Sequence, residues 1–271
     1  MEDDGTTYAR DDIESFLRIG IFMVNLTDFI RSEDIWGIIP ARGGSKSIPL
    51  KNMHLLAGRS LIDYVIVAGK AASKLGRVIC STDHDGIAAR CRECSISVRK
   101  RPATLANDNS RMDDVIIQFL ESIGQDEGTL PEAIGLLLPT SPFVLPSHID
   151  SCINLLLSDA SINSVQTITK MPHNHHAYSQ RVVEDGLVKF VFPRERHQYP
   201  NKQSKPAFYV FGNFLVTRTE ALLKCNNLFA TPSMGIEIDP AYALDVDTIS
   251  EFTVAEWYIS SEQVQPTILN G

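Results

Sequence analysis

The sequence predicts an α/β fold, a doubly wound and mostly parallel sheet with an inserted dimerisation or lid segment. Three observations point there. From residue 35 onward, short β-branched runs alternate with helical patterns, the rhythm of β-α-β units. A glycine-paired loop rich in cations, residues 41–52, follows the first run. Two further turns, Ser81-Thr82-Asp83 and Pro139-Thr140-Ser141-Pro142, fall at the ends of later runs, where open α/β sheets bind ligands.

Each element has its own warrant. Ile35–Ile39 reads as a strand, and Ser60–Ala72 as a helix with Leu61, Val65 and Ala68 on one face. Arg77–Ser81 is strand-like, Asp85–Glu93 helical, and Ile96–Arg99 a third strand. Arg111–Ile123 is predicted helical and Ala133–Leu138 a buried strand. Ser147–Leu157 is a helix whose Ser147-x-x-Asp150 has the spacing of a capping box. Ser164–Thr169 follows as a strand. Between about 170 and 217 the rhythm breaks: residues 187–192 and 208–216 are expected to pair around a polar loop holding Pro193, Pro200 and Pro206. Gly235–Ile238 and a helix from Asp247 to about Ile259 close the pattern. The expected division is an N-terminal extension over 1–34, a domain over 35–259 and a tail over 260–271. Residues 11–32 read as a packed or partner-binding amphipathic helix, whose apolar run, Phe16 to Ile30, is broken by Arg18, Asn25 and Asp28 and is too short to span a bilayer.

Twenty-five Lys and Arg against 33 Asp and Glu leave a formal charge of −8, which argues against a general nucleic-acid binder. It does not argue against an anionic small ligand, because distant charges are screened while a cation at a few ångströms is not. The five cysteines form no disulfide framework, and Cys91-x-x-Cys94 lacks a second ligand pair at zinc spacing. Reduced thiols and an acidic start, Met1-Glu2-Asp3-Asp4, lead to the expectation of a cytoplasmic protein with no signal peptide.

The loop Ala41-Arg42-Gly43-Gly44-Ser45-Lys46-Ser47-Ile48-Pro49-Leu50-Lys51-Asn52 carries the most chemistry. It sets Arg42, Lys46 and Lys51 around a backbone that approaches a ligand closely, as a polyphosphate requires. It is neither a P-loop nor G-x-G-x-x-G. Lys46 and Lys51 reach for different phosphates of one nucleotide, Arg42 offers a fork, and Asn52 serves either a ribose hydroxyl or the loop itself. Asp245-Val246-Asp247 places two carboxylates on one side of an extended segment. They suit Mg²⁺, although Asp247 as a helix cap is the competing reading. His173, His175 and His176 read as polar loop or acceptor-side contacts rather than metal ligands. Arg194, Arg196 and His197 read equally as a solvated loop or as reaching a sugar carboxylate in a partner subunit.

Together these segments resemble the cytidylyltransferases that activate nine-carbon acidic sugars, the CMP-sialic acid synthetase family. Ala41 to Asn52 is similar to the family's A-R-x-x-S-K-G-[IL]-P-x-K-N except at Ser47. Val78 to Asp83, Arg101-Pro102-Ala103-Thr104-Leu105-Ala106-Asn107-Asp108, the Pro139 to Pro142 turn and Asp245-Val246-Asp247 resemble its later motifs, in order. The resemblance implies a Rossmann-like nucleotidyltransferase that joins CMP from CTP to a nonulosonic acid and releases pyrophosphate. It implies that Arg42, Lys46 and Lys51 hold and stabilise the phosphates, within a nucleotide loop that includes Ala41, Gly43, Gly44, Ser45 and Asn52. Arg101 and the segment through Ser110 would recognise cytosine, and Asp245 and Asp247 would hold Mg²⁺. Leu138, Thr140, Ser141, Tyr209 and Phe211 would face the sugar, and the insertion would make a homodimer.

Three positions depart from the pattern on the acceptor side. Leu138 stands where a glutamine is typical, and Tyr209 and Phe211 where an arginine and an asparagine are; Met112 replaces a small polar residue near the base. These exchanges imply an acceptor other than sialic acid, of a pseudaminic or legionaminic type. The alternative is a non-catalytic nucleotide-binding homologue with a degenerated sugar pocket.

Overall fold

The computed structural model describes residues 29–269. In chain order the strands and helices begin with β1 (Ile30–Arg31), β2 (Ile35–Pro40), β3 (Leu55–Leu56), β4 (Arg59–Ser60) and α1 (Leu61–Ala71). β5 (Arg77–Thr82), α2 (Asp85–Glu93), β6 (Ser97–Lys100), α3 (Met112–Glu127), β7 (Thr129–Leu130) and β8 (Ala133–Leu136) follow. Next come α4 (Pro146–Ser158), β9 (Ser164–Lys170), β10 (Arg181–Glu184), β11 (Leu187–Phe190) and α5 (Pro193–Gln198). The chain continues through β12 (Tyr209–Arg218), α6 (Thr219–Cys225), β13 (Ser233–Glu237) and α7 (Ile249–Ser260).

Seven strands form one sheet in the order β13-β9-β12-β8-β2-β5-β6. All neighbours are parallel except β12, which runs antiparallel between β8 and β9. The period-2 geometry of a strand separates the two faces. Ile35 and Ile39 of β2 join a core with Ile62 and Val65 of α1 and Ile149 and Cys152 of α4. Trp36 and Ile38 join the opposite core with Ile116, Phe119 and Leu120 of α3. Helices on both faces of a mostly parallel sheet are what the alternating runs predicted. A third cluster of Ile48, Leu56, Tyr64, Phe143, Val246 and Phe252 ties the loop after β2 to the segment before α7.

Four expectations need correction. The amphipathic helix over 11–32 lies mostly outside the described residues, and its end is a strand. Ile30 donates to Gly128 O at 3.2 Å and Ser32 to Leu130 O at 2.8 Å. The segments 187–192 and 208–216 do not pair. β10 and β11 form their own hairpin through Asp185-Gly186, both with positive φ (52° and 78°), the turn that an Asp-Gly pair favours. β12 instead enters the central sheet, because its buried run Asn213–Thr217 belongs between β8 and β9. Ser147-x-x-Asp150 is not a capping box. The Leu145 N–H donates to His148 Nδ1 (3.3 Å), while Asp150 accepts from Ser73 N, Ser73 Oγ and Lys74 N at 2.8–3.0 Å. Finally, residues set apart as a tail pack on the domain, with Val264 buried in the third cluster.

Candidate functional site

Ala41 is the last residue held by the sheet, its N–H donating to Ser81 O at 3.0 Å on β5. The chain then leaves across the carboxyl edge. The Gly43 N–H donates to Asp83 Oδ1 at 2.9 Å, and a Cβ at Gly43 would lie 2.7–2.9 Å from the His84 side chain. At Gly44 a Cβ would meet nothing within 4 Å. Glycine is therefore required by contact at the first position and not at the second. Ile48 returns the loop to the core, and Leu50 takes a left-handed conformation (φ 49°) that non-glycine residues rarely adopt. That turn brings the Asn52 side chain back, where Nδ2 donates to Arg42 O at 2.9 Å. Of its two readings, Asn52 serves the loop.

The three loop cations all meet carboxylates. Arg42 and Lys46 both reach Asp108, at 2.7 and 2.8 Å, and Lys51 pairs with Asp247. The hydrogen bonds from Lys46 and then Arg42 hold the Asp108 carboxyl below its usual range. Asp108 lay within the quoted Arg101–Asp108 segment, but nothing in its spacing from Arg42 announced the contact. A polyphosphate's oxygens carry the same charge as these carboxylates and suit the same cations.

A cavity of 220 Å³ opens beside the loop, lined by Arg42, Gly44, Ser45, Lys51 and Asn52 together with Arg101, Met112, Leu138 and Thr140. Residues from four separate stretches of chain thus meet at the carboxyl edge of the sheet. Arg101 is 4% exposed. It is braced by Nη2 donating to Ser81 O at 3.0 Å and its backbone N–H to Thr82 O at 2.8 Å. Burial pulls its guanidinium below the ordinary arginine value. Ser110 Oγ is buried without a partner, the condition of a polar atom that a ligand completes.

Not every expected residue reaches that cavity. Ala41, Gly43 and Ser141 are backbone supports, Ser141 donating its N–H to Leu138 O at 2.9 Å. Lys46 extends over the rim toward Asp108. Tyr209 is 43% exposed, and Phe211 packs with the α3-side core and edge-on to Phe229 at 6.0 Å; neither lines the cavity. Met112 and Leu138 form its apolar wall.

Asp245 and Asp247 flank the fully buried Val246, whose N–H donates to Thr140 O at 2.7 Å. Extended geometry then puts both carboxylates on the cleft side. Asp247 is not the helix cap. Thr248 caps α7, and Glu251 Oε2 accepts from the N–H groups of Asp247 and Thr248, both at 2.7 Å. Partial burial, followed by the neighbouring Asp247 carboxylate, raises the Asp245 pKa against the pull of Thr140 and Lys51. Two carboxylates that disfavour each other's charge are the hard oxygen donors that suit a divalent cation.

Behind the wall lies a polar network that the sequence did not announce. β12 is irregular against β9 between Phe211 and Leu215. Thr167 Oγ1 accepts there from the N–H groups of Asn213 (2.8 Å) and Phe214 (2.9 Å). A Cβ at Gly212 would sit 2.6 Å from that same oxygen. Asn213 Nδ2 donates to Tyr242 O at 2.9 Å and to His148 Nδ1 at 3.1 Å. The network sits at the irregularity itself, just beyond Tyr209 and Phe211, which stay paired with Lys170 and Ile168 of β9. An alternating strand pattern carries no signal for it, because a bulge breaks the alternation.

The histidines of the insertion do not converge on a metal; no group of three or more His, Cys, Asp or Glu fit for one exists among the described residues. His176 is buried against Phe208, rings stacked at 4.5 Å. Arg194, Arg196 and His197 lie on α5, away from the cleft cavity. Cys91 and Cys94 are free thiols at the end of α2.

A family model described as cytidylyltransferase matches residues 36–229. The CMP-N,N'-diacetyllegionaminic acid synthase of Legionella pneumophila is 28% identical over 226 residues, 82% of this chain and 94% of that protein. N-acylneuraminate cytidylyltransferase A of Danio rerio is 29% identical and the Escherichia coli N-acylneuraminate cytidylyltransferase 28% identical. The chain spans about half the length of each of those two (51%). Among solved structures, a CMP:2-keto-3-deoxy-manno-octonic acid synthetase complexed with CTP superposes with a TM-score of 0.63 at 15% identity, covering 84% of this chain and 99% of that one. The 4-diphosphocytidyl-2C-methyl-D-erythritol synthase of Anaerococcus prevotii gives 0.59 at 14% identity, over 84% and 96%. At these identities the structural matches establish the fold.

Proposed function

The chain belongs to the cytidylyltransferase family, and from that premise we propose that it transfers CMP from CTP to a nonulosonic acid, releasing pyrophosphate. The observation that carries this reading is the cleft cavity, where Arg42, Lys51, Arg101, Leu138 and Thr140 converge beside Asp245 and Asp247. Arg42, Lys46 and Lys51 bind the triphosphate and offset the charge that builds on the departing pyrophosphate. Arg101, which lines the cavity, and Ser110, which does not, are the residues proposed to read the base, and the apolar pair Met112 and Leu138 to separate base from acceptor. The anomeric hydroxyl of the sugar attacks the α-phosphorus in line, with its proton passing to solvent or a cleft carboxylate. Catalysis is mainly positioning and electrostatics. Asp245 and Asp247 are the residues to hold Mg²⁺, which when bound supplies further compensation for phosphate charge.

The acceptor is a nine-carbon acid whose face toward Leu138 is acylated or deoxygenated. A hydroxyl buried against that side chain would lack a partner. The Legionella relative, a CMP-N,N'-diacetyllegionaminic acid synthase, supports that class. The β10–β11 hairpin, with Val183, Leu187 and Val188 each more than 60% exposed, supports a homodimer through the insertion. No described helix is long and apolar enough to cross a membrane, and we place the enzyme in the cytoplasm with its CTP.

The test is pyrophosphate release from CTP and Mg²⁺ with a panel of nonulosonic acids. Turnover with a legionaminic- or pseudaminic-type acid above sialic acid is expected. CTP binding by calorimetry with no release for any acid would replace the enzyme with a non-catalytic nucleotide-binding protein.

A further inference from the structure

A second cavity, of 430 Å³, lies in the insertion and plays no part in the cleft described above. It is lined by Lys170, His173, Lys202 and Lys205, with Phe208 and His176 as a wall and no aspartate or glutamate among its lining residues. We propose that this cavity is an anion site for a phosphate-class polyanion, separate from the triphosphate loop.

The charge balance argues for it. Residues 170–206 carry seven Lys and Arg against three Asp and Glu, in a chain whose net charge is −8. None of Lys170, Lys202 and Lys205 is in an ion pair among the described residues. Lys205 Nζ donates instead to Ser179 Oγ at 2.7 Å, which holds it at the rim. Desolvation and then the neighbouring cations Lys205 and Lys202 pull the exposed His173 below its ordinary value, and desolvation and Arg196 do the same to Lys205. Like charges kept together without a counter-charge are relieved by an anion.

The wall is fixed in advance. His176 Nδ1 accepts from Tyr178 N at 3.1 Å, so the proton sits on Nε2 and donates to Pro206 O at 3.0 Å. Both ring nitrogens are committed, which makes His176 scaffold and leaves ligand binding to the lysines and His173. Three ammonium groups are matched by a di- or polyanion, whereas one carboxylate leaves charge uncompensated. The Phe208 ring gives room for an organic moiety, so an inorganic pyrophosphate and a nucleotide phosphate share this chemistry.

The inference stands apart from the proposed reaction, and its test does not use turnover. Full-length protein is titrated with inorganic pyrophosphate by calorimetry without divalent metal, and in parallel with CMP and with malonate. Two equivalents of pyrophosphate per chain are expected. Lys202→Gln/Lys205→Gln should weaken one of them at least tenfold, and Lys202→Arg/Lys205→Arg should restore it. Arg42→Ala/Lys46→Ala should remove only the other. Binding of CMP at the lysine-dependent site makes the ligand an organic phosphate, and its failure beside pyrophosphate binding makes it an inorganic one. An unchanged stoichiometry in the lysine-to-glutamine variant, loss of all binding in the cleft variant alone, or malonate binding as tightly as pyrophosphate would overturn the proposal.

Discussion

His148 offers a test of how the wall behind the cleft is built. Its Nδ1 accepts two hydrogen bonds, from the Leu145 N–H at 3.3 Å and from Asn213 Nδ2 at 3.1 Å. The neutral tautomer with hydrogen on Nε2 is therefore the folded form. Protonating Nδ1 would break both contacts in a place where the ring lies edge-on to Tyr242 at 5.6 Å. Burial pushes its pKa down to about 4 from an ordinary 6.5. Above pH 6.5 both folded and unfolded chains hold the neutral ring, and the group adds no pH dependence. As pH falls from 6.5 toward 4 the unfolded chain takes up the proton first, so stability is lost. Below about 4 the loss is complete, at most about 3 kcal/mol for this interval. Urea denaturation at several pH values, with wild type and His148→Gln side by side, isolates the term. The wild type should lose about 3 kcal/mol more than the variant between pH 7.5 and 4. The variant should start about 1–3 kcal/mol lower, because the Leu145 N–H and Asn213 Nδ2 donors lose their acceptor. Parallel curves, or a His148 resonance titrating near 6.5, would refute the reasoning.

Three further outcomes follow from the cleft. Gly43→Ala forces a methyl into the His84 side chain and should cost about 1–3 kcal/mol in denaturant unfolding, whereas Gly44→Ala should leave stability unchanged; equal effects would contradict the contact argument. Asp108→Asn removes the carboxylate that occupies Arg42 and Lys46, and calorimetry should find tighter CTP binding; weaker binding would show that Asp108 holds the loop in its binding form instead. Asp247→Ala should lower kcat/KM about 10²- to 10³-fold with the fold intact by circular dichroism, and full activity in that variant would refute its place in the cation site.

Much of this arrangement was legible because it rests on local chemistry. Alternating apolar runs announced the sheet, and the run of cations over 42–51 marked the loop whose Arg42, Lys46 and Lys51 all meet carboxylates. The spacing of Asp245 and Asp247 around a valine placed both carboxylates on one side, as the buried Val246 bears out. The pairing of 208–216 was not legible, because its strand pattern says nothing of its partner. Asp185-Gly186 carried a hairpin signal that closes β10 on β11 and frees β12 for the central sheet. Asp108, Thr167 and His148 were not legible as site residues. Each acts through contacts 46 to 66 residues away in sequence, and no periodicity reports such distances.

The most direct measurement of the central claim is the product balance when the protein meets CTP, Mg²⁺ and a legionaminic-type acid, read by phosphorus NMR. The account predicts a new phosphodiester resonance of the CMP-sugar growing in equal amount with pyrophosphate, and neither signal with Arg42→Ala/Lys51→Ala. Pyrophosphate without the phosphodiester, or undiminished product from that variant, would contradict it.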